Sequence, residues 1–352
     1  MRFVKIFRNA TLLTLILAAM SCNVHEWPNA SDKVQLTLEL NFATDFTERD
    51  YTYTDRSIVA TGDVSTEPGA LTRGAMHCTV RAYPTINGVQ QGSWEEFSFT
   101  RDLSAGYDCA VPLTLTPGQY TLLVWAELTE SEGADRLYNS DEFSEIRLRG
   151  GEHAANTDYR DAFSGTADID LAPETVGTRN RANCSVAMTR PLAKYQFVTT
   201  DVQAFLQLMT AGNGSSSEAT RASLTDYEIL FRYVGYMPNA YSLFTDKPSD
   251  SAMGVQFRSE LSRLNNSEAS LGFDYVFVKD AESTVSVQIE VYRKTDGQLV
   301  SRTMSIRVPL NRNEHTVIRG AFISDTSLAD SSGGVGIDPG YEGDIDIPVT
   351  DY

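Results

Sequence analysis

The sequence predicts an all-β protein with few short helices, arranged as two tandem β-sandwich domains. Three observations support this prediction. Apolar and polar residues alternate with a period of two in many segments, turn residues separate these segments at short spacing, and helical patterns are rare. The 352 residues suffice for two ordinary domains, and the hydrophobic content of 41% suffices for two real cores.

Residues 1–21 have the character of a secretory signal peptide. Basic residues precede the apolar run 11–20, which is too short to span a bilayer, and Ser21 stands directly before Cys22. A small residue before a cysteine is typical of bacterial lipoproteins. This pattern predicts Cys22 as the lipidated first residue of the mature chain and 22–33 as a polar tether at a membrane. The alternative is ordinary cleavage that leaves a free thiol at Cys22.

Residues 34–172 are predicted to form the N-terminal sandwich. Its alternating runs are Val34–Phe42, 76–82, 111–115 and 120–126. Because the turn dipeptide Pro117-Gly118 separates the last two runs, they predict a hairpin over 109–127. The stretch 55–74 is rich in Ser, Thr, Gly and Asp, which predicts a long loop.

Residues 173–183 are predicted to form an interdomain linker. Residues 184–352 are predicted to form the C-terminal sandwich, which ends in an acidic tail. The alternating runs of this half are Tyr227–Tyr233, 273–277, 285–291 and 304–308. The Asp296-Gly297 turn predicts that the last two runs pair. Val202, Phe205, Leu206 and Met209 share one face of a predicted short helix, and 257–264 predict a second one.

Composition and motifs restrict the function. The formal net charge of −18 argues against nucleic acid and against an anionic membrane surface as partners. The four histidines lack metal-ligand spacing and no catalytic constellation stands out, so we expect neither enzymatic activity nor a cofactor. A hydrolase with dispersed carboxylates is the alternative. The acidic residues 338–346 suit a solvated tail better than a calcium site, because their spacing departs from the EF-hand pattern.

The cysteines beyond Cys22 leave two interpretations open. Cys78 and Cys109 lie in strand-like runs of the first half, and an exported protein could join them. A loop of this length typically contributes about 3–4 kcal/mol when closed by a disulfide. Two buried free thiols are an equally good interpretation. Cys184 has no evident partner.

Three exposed positions are candidates for modification or binding. Arg73 ends the predicted long loop and is therefore a candidate trimming site for a trypsin-like protease, with a plain surface arginine as the alternative. Asp250-Ser251-Ala252 matches the short pattern of Bacteroidales O-glycosylation, which makes Ser251 a candidate acceptor. Trp94 follows a glycine turn beside two glutamates and could offer an exposed aromatic face to a glycan, whereas Trp125 lies within a predicted strand and is expected in the core.

The second half of the sequence resembles the FimA/Mfa-like fimbrillin superfamily of Bacteroidales lipoproteins. In 308–320, a strand ending in Val308-Pro309-Leu310 leads through a polar turn at Arg312-Asn313 to a hairpin return and a final strand. Residues 111–126 are similar to a strand pair of that superfamily's N-terminal, transthyretin-like sandwich, and 190–197 resemble the opening strand of its C-terminal sandwich. Residues 22–28 and 272–278 resemble a narrower lipoprotein subgroup, known only as a domain of unknown function.

The resemblance implies a role in surface pili. In that superfamily, shaft subunits are lipoproteins that a protease trims after an arginine, which opens a groove for a neighbour's strand, whereas FimB-like anchor subunits keep their lipid. Carried over, Cys22 would bear the lipid, such as palmitate, Val34–Phe42 would be the first strand, and Arg73 would be the trimming site. The implied function is a non-enzymatic, lipid-anchored outer-membrane protein of the cell surface.

Such a protein would act as a fimbrial anchor or accessory subunit through β-strand addition with fimbrillin-type partners. The alternative function is that of a glycan-binding surface lipoprotein in a polysaccharide-uptake system.

Overall fold

The computed structural model describes most of the chain, namely residues 33–172, 176, 180–212, 221–279 and 283–327. The predicted signal peptide, Cys22 and the acidic tail lie outside the described residues. The described strands are β1 (Val34–Phe42), β2 (Phe46–Thr54), β3 (Ser57–Glu67), β4 (Ala75–Ile86), β5 (Val89–Gln90), β6 (Glu95–Asp102), β7 (Cys109–Leu115), β8 (Gln119–Thr129), β9 (Tyr138–Asn139), β10 (Ile146–Leu148), β11 (Ala162–Asp170), β12 (Arg181–Met188), β13 (Leu192–Thr199), β14 (Tyr227–Tyr233), β15 (Tyr236–Ser242), β16 (Lys247–Met253), β17 (Gln256–Glu260), β18 (Ser262–Arg263), β19 (Ala269–Phe277), β20 (Ser283–Arg293), β21 (Leu299–Arg302), β22 (Ile306–Leu310) and β23 (Glu314–Gly320).

Helices are few, as the sequence predicts. The α-helix α1 (Val202–Gly212) covers the segment predicted from its apolar face. Short 3-10 turns occupy Leu103–Ala105, Asp158–Arg160 and Leu224–Asp226. In the part of the chain that the structure describes, no helix has both the length and the apolar character needed to cross a membrane. The all-β class is therefore confirmed.

The first sandwich consists of two facing sheets. Sheet A has the strand order β12-β1-β7, and sheet B has the order β11-β8-β4-β5, with β6 also paired to β4. Alternate side chains of both sheets meet in one core, which is the reason for the period of two in the sequence. This core includes Leu38, Cys78, Val80, Leu113 and Val124.

The second sandwich is built in the same way. Sheet C has the order β18-β19-β13-β23-β2-β3, and sheet D has the order β17-β14-β20-β21, with β22 paired to β20. Aromatic side chains contribute heavily to the core between them, and α1 closes one end with Val202 and Phe205. The rings of Phe231 and Phe257 stack in this core at a centroid distance of 4.6 Å.

A third core joins the two sandwiches. Sheet E, with the order β16-β15-β10-β9, covers apolar side chains on the outer faces of sheets B and C. Trp125 of β8 and Phe277 of β19 both contribute to this core, and Tyr138 of β9 contacts both rings. Side chains on both faces of β8 and β19 are therefore buried, which explains the continuous apolar runs in their sequences.

Among the described residues, three of the five sheets include strands from both predicted domain ranges. Strand β12 begins inside the predicted linker 173–183 and pairs in parallel with β1 of the first sandwich. Hairpin β2–β3 lies in the first range, yet β2 pairs in parallel with β23 of the second sandwich. Sheet E combines β9 and β10 with β15 and β16. The two sandwiches are therefore interleaved along the chain, and residues 34–67 contribute strands to both.

Two predicted hairpins are wrong. The hairpin over 109–127 is absent because β7 pairs with β1 in sheet A, whereas β8 pairs with β4 and β11 in sheet B. The predicted hairpin return after Arg312-Asn313 likewise joins β22 of sheet D to β23 of sheet C. In both cases the turn passes from one sheet to the facing sheet, so the two strands contact through side chains. The predicted pairing of β20 with β22 is confirmed.

Two further secondary-structure predictions are wrong. The predicted loop 55–74 contains β3, an edge strand of eleven residues whose side chains are mostly exposed on both faces. The predicted helix 257–264 is instead made of β17 and β18, and Phe257 and Ser259 of β17 are buried on one face. The composition of β3 is polar because side chains on both of its faces are exposed. An edge strand of this kind needs no apolar face.

Candidate functional site

The candidate functional site is the slot that β1 fills between β7 and β12. Strand β1 runs parallel to β12 and antiparallel to β7 and is hydrogen bonded on both of its edges. Its alternate side chains Val34, Leu36, Leu38 and Leu40 are at most 1% exposed. Each of these burials typically contributes about 1.5–3 kcal/mol. The slot therefore holds β1 through its backbone and through four buried apolar side chains.

A second open feature is the edge of sheet C at β3. Hairpin β2–β3 turns at Asp55-Arg56, and both residues adopt the positive φ angles that a tight hairpin turn needs. Strand β3 ends the order of the sheet, and its side chains Val59 and Val64 are more than half exposed. An edge strand with exposed apolar side chains can pair with a strand of another chain.

The predicted trimming site Arg73 lies between these strands and the rest of the chain. Its side chain is exposed, which suits a protease site, but the backbone around it is fixed. The Leu71 amide donates to the Tyr107 hydroxyl at 2.9 Å, and the Leu103 amide donates to the Gly74 carbonyl at 3.0 Å. Gly74 has a φ of 101°, and a Cβ there would lie 2.4 Å from the Thr129 carbonyl oxygen. A protease would therefore need the loop to loosen first.

A buried arginine fixes the connection between β1 and β2. Arg190 is 0% exposed, and its Nε donates to both carboxylate oxygens of Asp161 at 2.8 Å. Its other nitrogens donate to the carbonyls of residues 43–45 and, at 2.7 Å, to Oδ1 of Asn313. The guanidinium also lies 3.8 Å from the centre of the Phe46 ring. Arg190 therefore holds the point where the chain passes from sheet A to sheet C.

A second buried polar network joins the two predicted domain ranges. Asp274 of β19 is 0% exposed and accepts hydrogen bonds from Arg160 at 2.8 Å and from His153 and Tyr233 at 2.6 Å. Burial raises the pKa of Asp274, but the Arg160 charge and the His153 hydrogen bond outweigh this effect and hold the pKa below its usual value. Tyr195 adds a hydrogen bond to Tyr233 at 2.8 Å. Except for Arg160 Nε, which is buried without a hydrogen-bond partner, these groups are paired with one another, as in a structural network.

Glu127 gives the first sandwich a pH-dependent stability. Its side chain is fully buried, and burial raises its pKa from 4.5 to about 7, although Arg136 lies 3.3 Å away. Between pH 4.5 and about 7 the unfolded chain releases this proton first, so the free energy of unfolding falls as the pH rises. The full loss, from the size of the shift, is on the order of 3 kcal/mol.

We therefore expect Glu127→Gln to stabilise the protein by about 1–3 kcal/mol at pH 8 and to change little at pH 5. The midpoint of urea unfolding, measured at both pH values, checks this. Glu39→Gln is the matched control because Glu39 is exposed on β1. A wild-type protein that gains stability relative to Glu127→Gln between pH 5 and pH 8 would contradict the assignment.

The predicted disulfide partners lie in facing sheets. Cys78 of β4 and Cys109 of β7 both belong to the first core, and the structure has Cys78, Cys109 and Cys184 as free thiols. Burial raises the pKa of Cys78 well above its usual value, which disfavours the reactive thiolate. Oxidation of this pair in the exported protein stays a prediction.

The remaining candidate residues lie apart from the β1 slot. Ser251 is exposed on β16, the edge strand of sheet E, so an enzyme could reach it. Trp125 is buried as expected, whereas Trp94 is 41% exposed and packs against Tyr83 at a ring distance of 5.6 Å. Phe244 is 44% exposed, and its ring also contacts the Tyr83 ring, at a centroid distance of 5.4 Å. The sequence did not indicate this grouping, because 150 residues separate Trp94 from Phe244.

Several solved structures are similar to this chain. A candidate cell adhesion protein from Bacteroides eggerthii is 11% identical, with a TM-score of 0.43 over 86% of this chain and 89% of that one. A candidate polysaccharide-binding protein from Bacteroides thetaiotaomicron is 12% identical, with a TM-score of 0.40 over 77% and 80%. The fimbrial anchor protein Mfa2 from Porphyromonas gingivalis is 17% identical, with a TM-score of 0.38 over 76% and 82%.

The sequence itself matches one family. No curated protein matches it significantly. The pattern of a family of unknown function, DUF6562, matches residues 30–351, which is nearly all of the chain after the predicted signal peptide. The chain therefore belongs to the family of unknown function DUF6562.

Proposed function

We propose that this protein is a non-enzymatic, lipid-anchored outer-membrane protein of the cell surface that serves as a fimbrial anchor or accessory subunit. The predicted signal peptide and Cys22 support the lipid anchor, because lipidation of Cys22 would hold the mature N-terminus at a membrane. Its resemblance to fimbrillin lipoproteins supports the fimbrial role. The partners would be fimbrillin-type subunits that pair with this chain by β-strand addition.

The geometry of β1 is the observation that carries the proposal. This strand comes first in the described chain, yet it lies between two neighbours in its sheet and fills four apolar pockets. An incoming strand of another subunit would be recognised in the same way, by backbone hydrogen bonds on both edges and by alternate side chains. The exposed edge at β3 offers a second place for strand addition without any cleavage.

Whether the chain is cut after Arg73 decides between two versions of this function. If the loop stays intact, β1 keeps the slot filled and the protein remains attached through Cys22, as an anchor would. If a protease cuts after Arg73, loss of β1, β2 and β3 would open the slot in sheet A and uncover the edge of β23 in sheet C. The fixed backbone around Arg73 favours the intact, anchored version.

Intact mass and N-terminal sequencing of the protein from native membranes test the proposal. We expect an acylated chain that begins at Cys22, and we expect fimbrillin-type subunits to copurify with it after mild detergent extraction. Copurification that is lost in Leu38→Asp but kept in Glu39→Gln would show that the partner requires the folded first sandwich. A chain that begins at Gly74 would indicate a polymerising subunit instead.

The absence of any fibre component from the extract would contradict the fimbrial role.

The alternative, a glycan-binding surface lipoprotein, is favoured by the exposed rings of Trp94 and Phe244. Quenching of Trp94 fluorescence by a purified polysaccharide, lost in Trp94→Phe, would support that alternative.

A further inference from the structure

Three potential metal ligands from three strands meet at one place in sheet C. Glu48 of β2, Glu67 of β3 and His315 of β23 each offer one ligand atom, and these atoms all lie within 4.8 Å of one another. Glu48 stands directly opposite His315 in the parallel pairing of β2 with β23. Glu67 comes from the neighbouring strand, where its pairing partner Phe46 lies two residues before Glu48.

The histidine has only one ring nitrogen available to a ligand. His315 is 2% exposed, and its Nε2 is enclosed without a hydrogen-bond partner. Its Nδ1 faces the two carboxylates, at hydrogen-bond distance from Glu67 and 3.5 Å from Glu48 Oε2. The Phe46 ring packs beside the imidazole at a centroid distance of 6.2 Å and restricts its orientation.

The carboxylates lie on the solvent side of this histidine. The side chains of Glu48 and Glu67 are 24% and 37% exposed, so an ion could reach them from solution. Two carboxylates that converge on one nitrogen repel each other unless a proton or a cation lies between them. The Ser65 hydroxyl donates to the other oxygen of Glu48 at 3.3 Å, which leaves Oε2 directed to the histidine.

We infer that Glu48, Glu67 and His315 bind a divalent cation of the zinc class. One imidazole nitrogen and two carboxylate oxygens are ligands for Zn²⁺ and its first-row neighbours, whereas Ca²⁺ and Mg²⁺ prefer oxygen ligands alone. Zinc–ligand distances are about 2.0–2.2 Å, which rotation of the two partly exposed glutamates can provide. Water would take the fourth position.

The position of the site gives the ion a structural consequence. Glu48 and Glu67 precede Arg73, whereas His315 belongs to the last described strand of sheet C. A bound ion would therefore join the N-terminal hairpin β2–β3 to the C-terminal part of the chain. If the chain were cut after Arg73, the ion would oppose release of the severed strands.

Equilibrium dialysis of the purified, untagged full-length chain against ZnCl₂ alone tests the inference. We expect one Zn²⁺ per chain, no saturable uptake of Ca²⁺ or Mg²⁺, and a loss of Zn²⁺ affinity of at least about tenfold in His315→Gln and Glu67→Gln. Glu39→Gln is the matched control, since Glu39 is an exposed strand glutamate outside the site. Circular dichroism shows whether each variant keeps the wild-type fold.

A spectroscopic readout separates a true site from loose association. Co²⁺ added to the wild-type protein is expected to give the visible absorption of a low-coordinate ion with a nitrogen ligand, and His315→Gln should abolish it. Zn²⁺ binding that is equal in wild type and in folded Glu67→Gln would overturn the inference. Absence of saturable binding to the wild type would also overturn it and would identify the three residues as an ion pair only.

Discussion

Replacing Arg190 by methionine is expected to lower the free energy of unfolding by about 3–5 kcal/mol. Methionine keeps much of the apolar volume of the side chain but leaves the Asp161 carboxylate buried without its guanidinium partner. Burial already raises the pKa of Asp161 despite the Arg190 charge beside it, so the unpaired carboxylate would be strongly disfavoured. The carbonyls of residues 43 and 44 would lose their Arg190 donor as well, whereas the Asp45 carbonyl would keep its hydrogen bond from Asn313.

The midpoint of urea unfolding, followed by tryptophan fluorescence to which the buried Trp125 contributes, measures this loss. Arg258→Met is the control, because Arg258 is 59% exposed and its ion pair with Glu228 should contribute less than about 1 kcal/mol. The double variant Arg190→Met with Asp161→Asn should recover part of the loss, since it removes the orphaned charge. Equal midpoints for Arg190→Met and Arg258→Met would show that the buried network contributes little.

The period of two in the sequence indicates which side chains face a core but not which strands pair. The runs on either side of Pro117-Gly118 alternate correctly, and both contribute to the first core. They reach that core from facing sheets, because β1 and not β8 supplies the partner of β7. A turn dipeptide between two alternating runs fits a hairpin and a connection between sheets equally well. Only the distant pairing partner decides between them.

The site was only partly predictable, for a related reason. Local sequence indicates β1 as a strand and Arg73 as an exposed arginine, and the structure places both accordingly. The sequence did not predict strand β3, because its composition is polar. An edge strand with two exposed faces has no apolar residues that recur with a period of two. The groups around Arg190, and the cluster of Glu48 with His315, join residues far apart in the chain. Spacing along the sequence carries no signal for such contacts.

Leu38→Asp is expected to unfold the first sandwich, with a loss of at least about 4 kcal/mol. Leu38 is 0% exposed at the centre of β1, so the substitution removes an apolar burial and places a carboxylate in the first core. Hydrogen exchange followed by mass spectrometry should show lost protection in β4, β7 and β8. Strands β14 and β20 should retain their protection, because their core lies between sheets C and D. Glu39→Gln is the neutral neighbour control.

The same variant tests whether the slot accepts a strand from another molecule. An excess of a synthetic peptide with the wild-type sequence 33–43 should restore protection in β7 and β8 of Leu38→Asp, because the peptide can supply the backbone pairing and all four apolar side chains that the slot requires. A peptide that carries Leu38→Asp should have no effect. If the wild-type peptide leaves β7 and β8 unprotected, the slot requires a covalently connected β1, which would contradict strand addition at sheet A. Restoration would mean that an incoming subunit needs little more than an alternating apolar strand of nine residues to occupy this site.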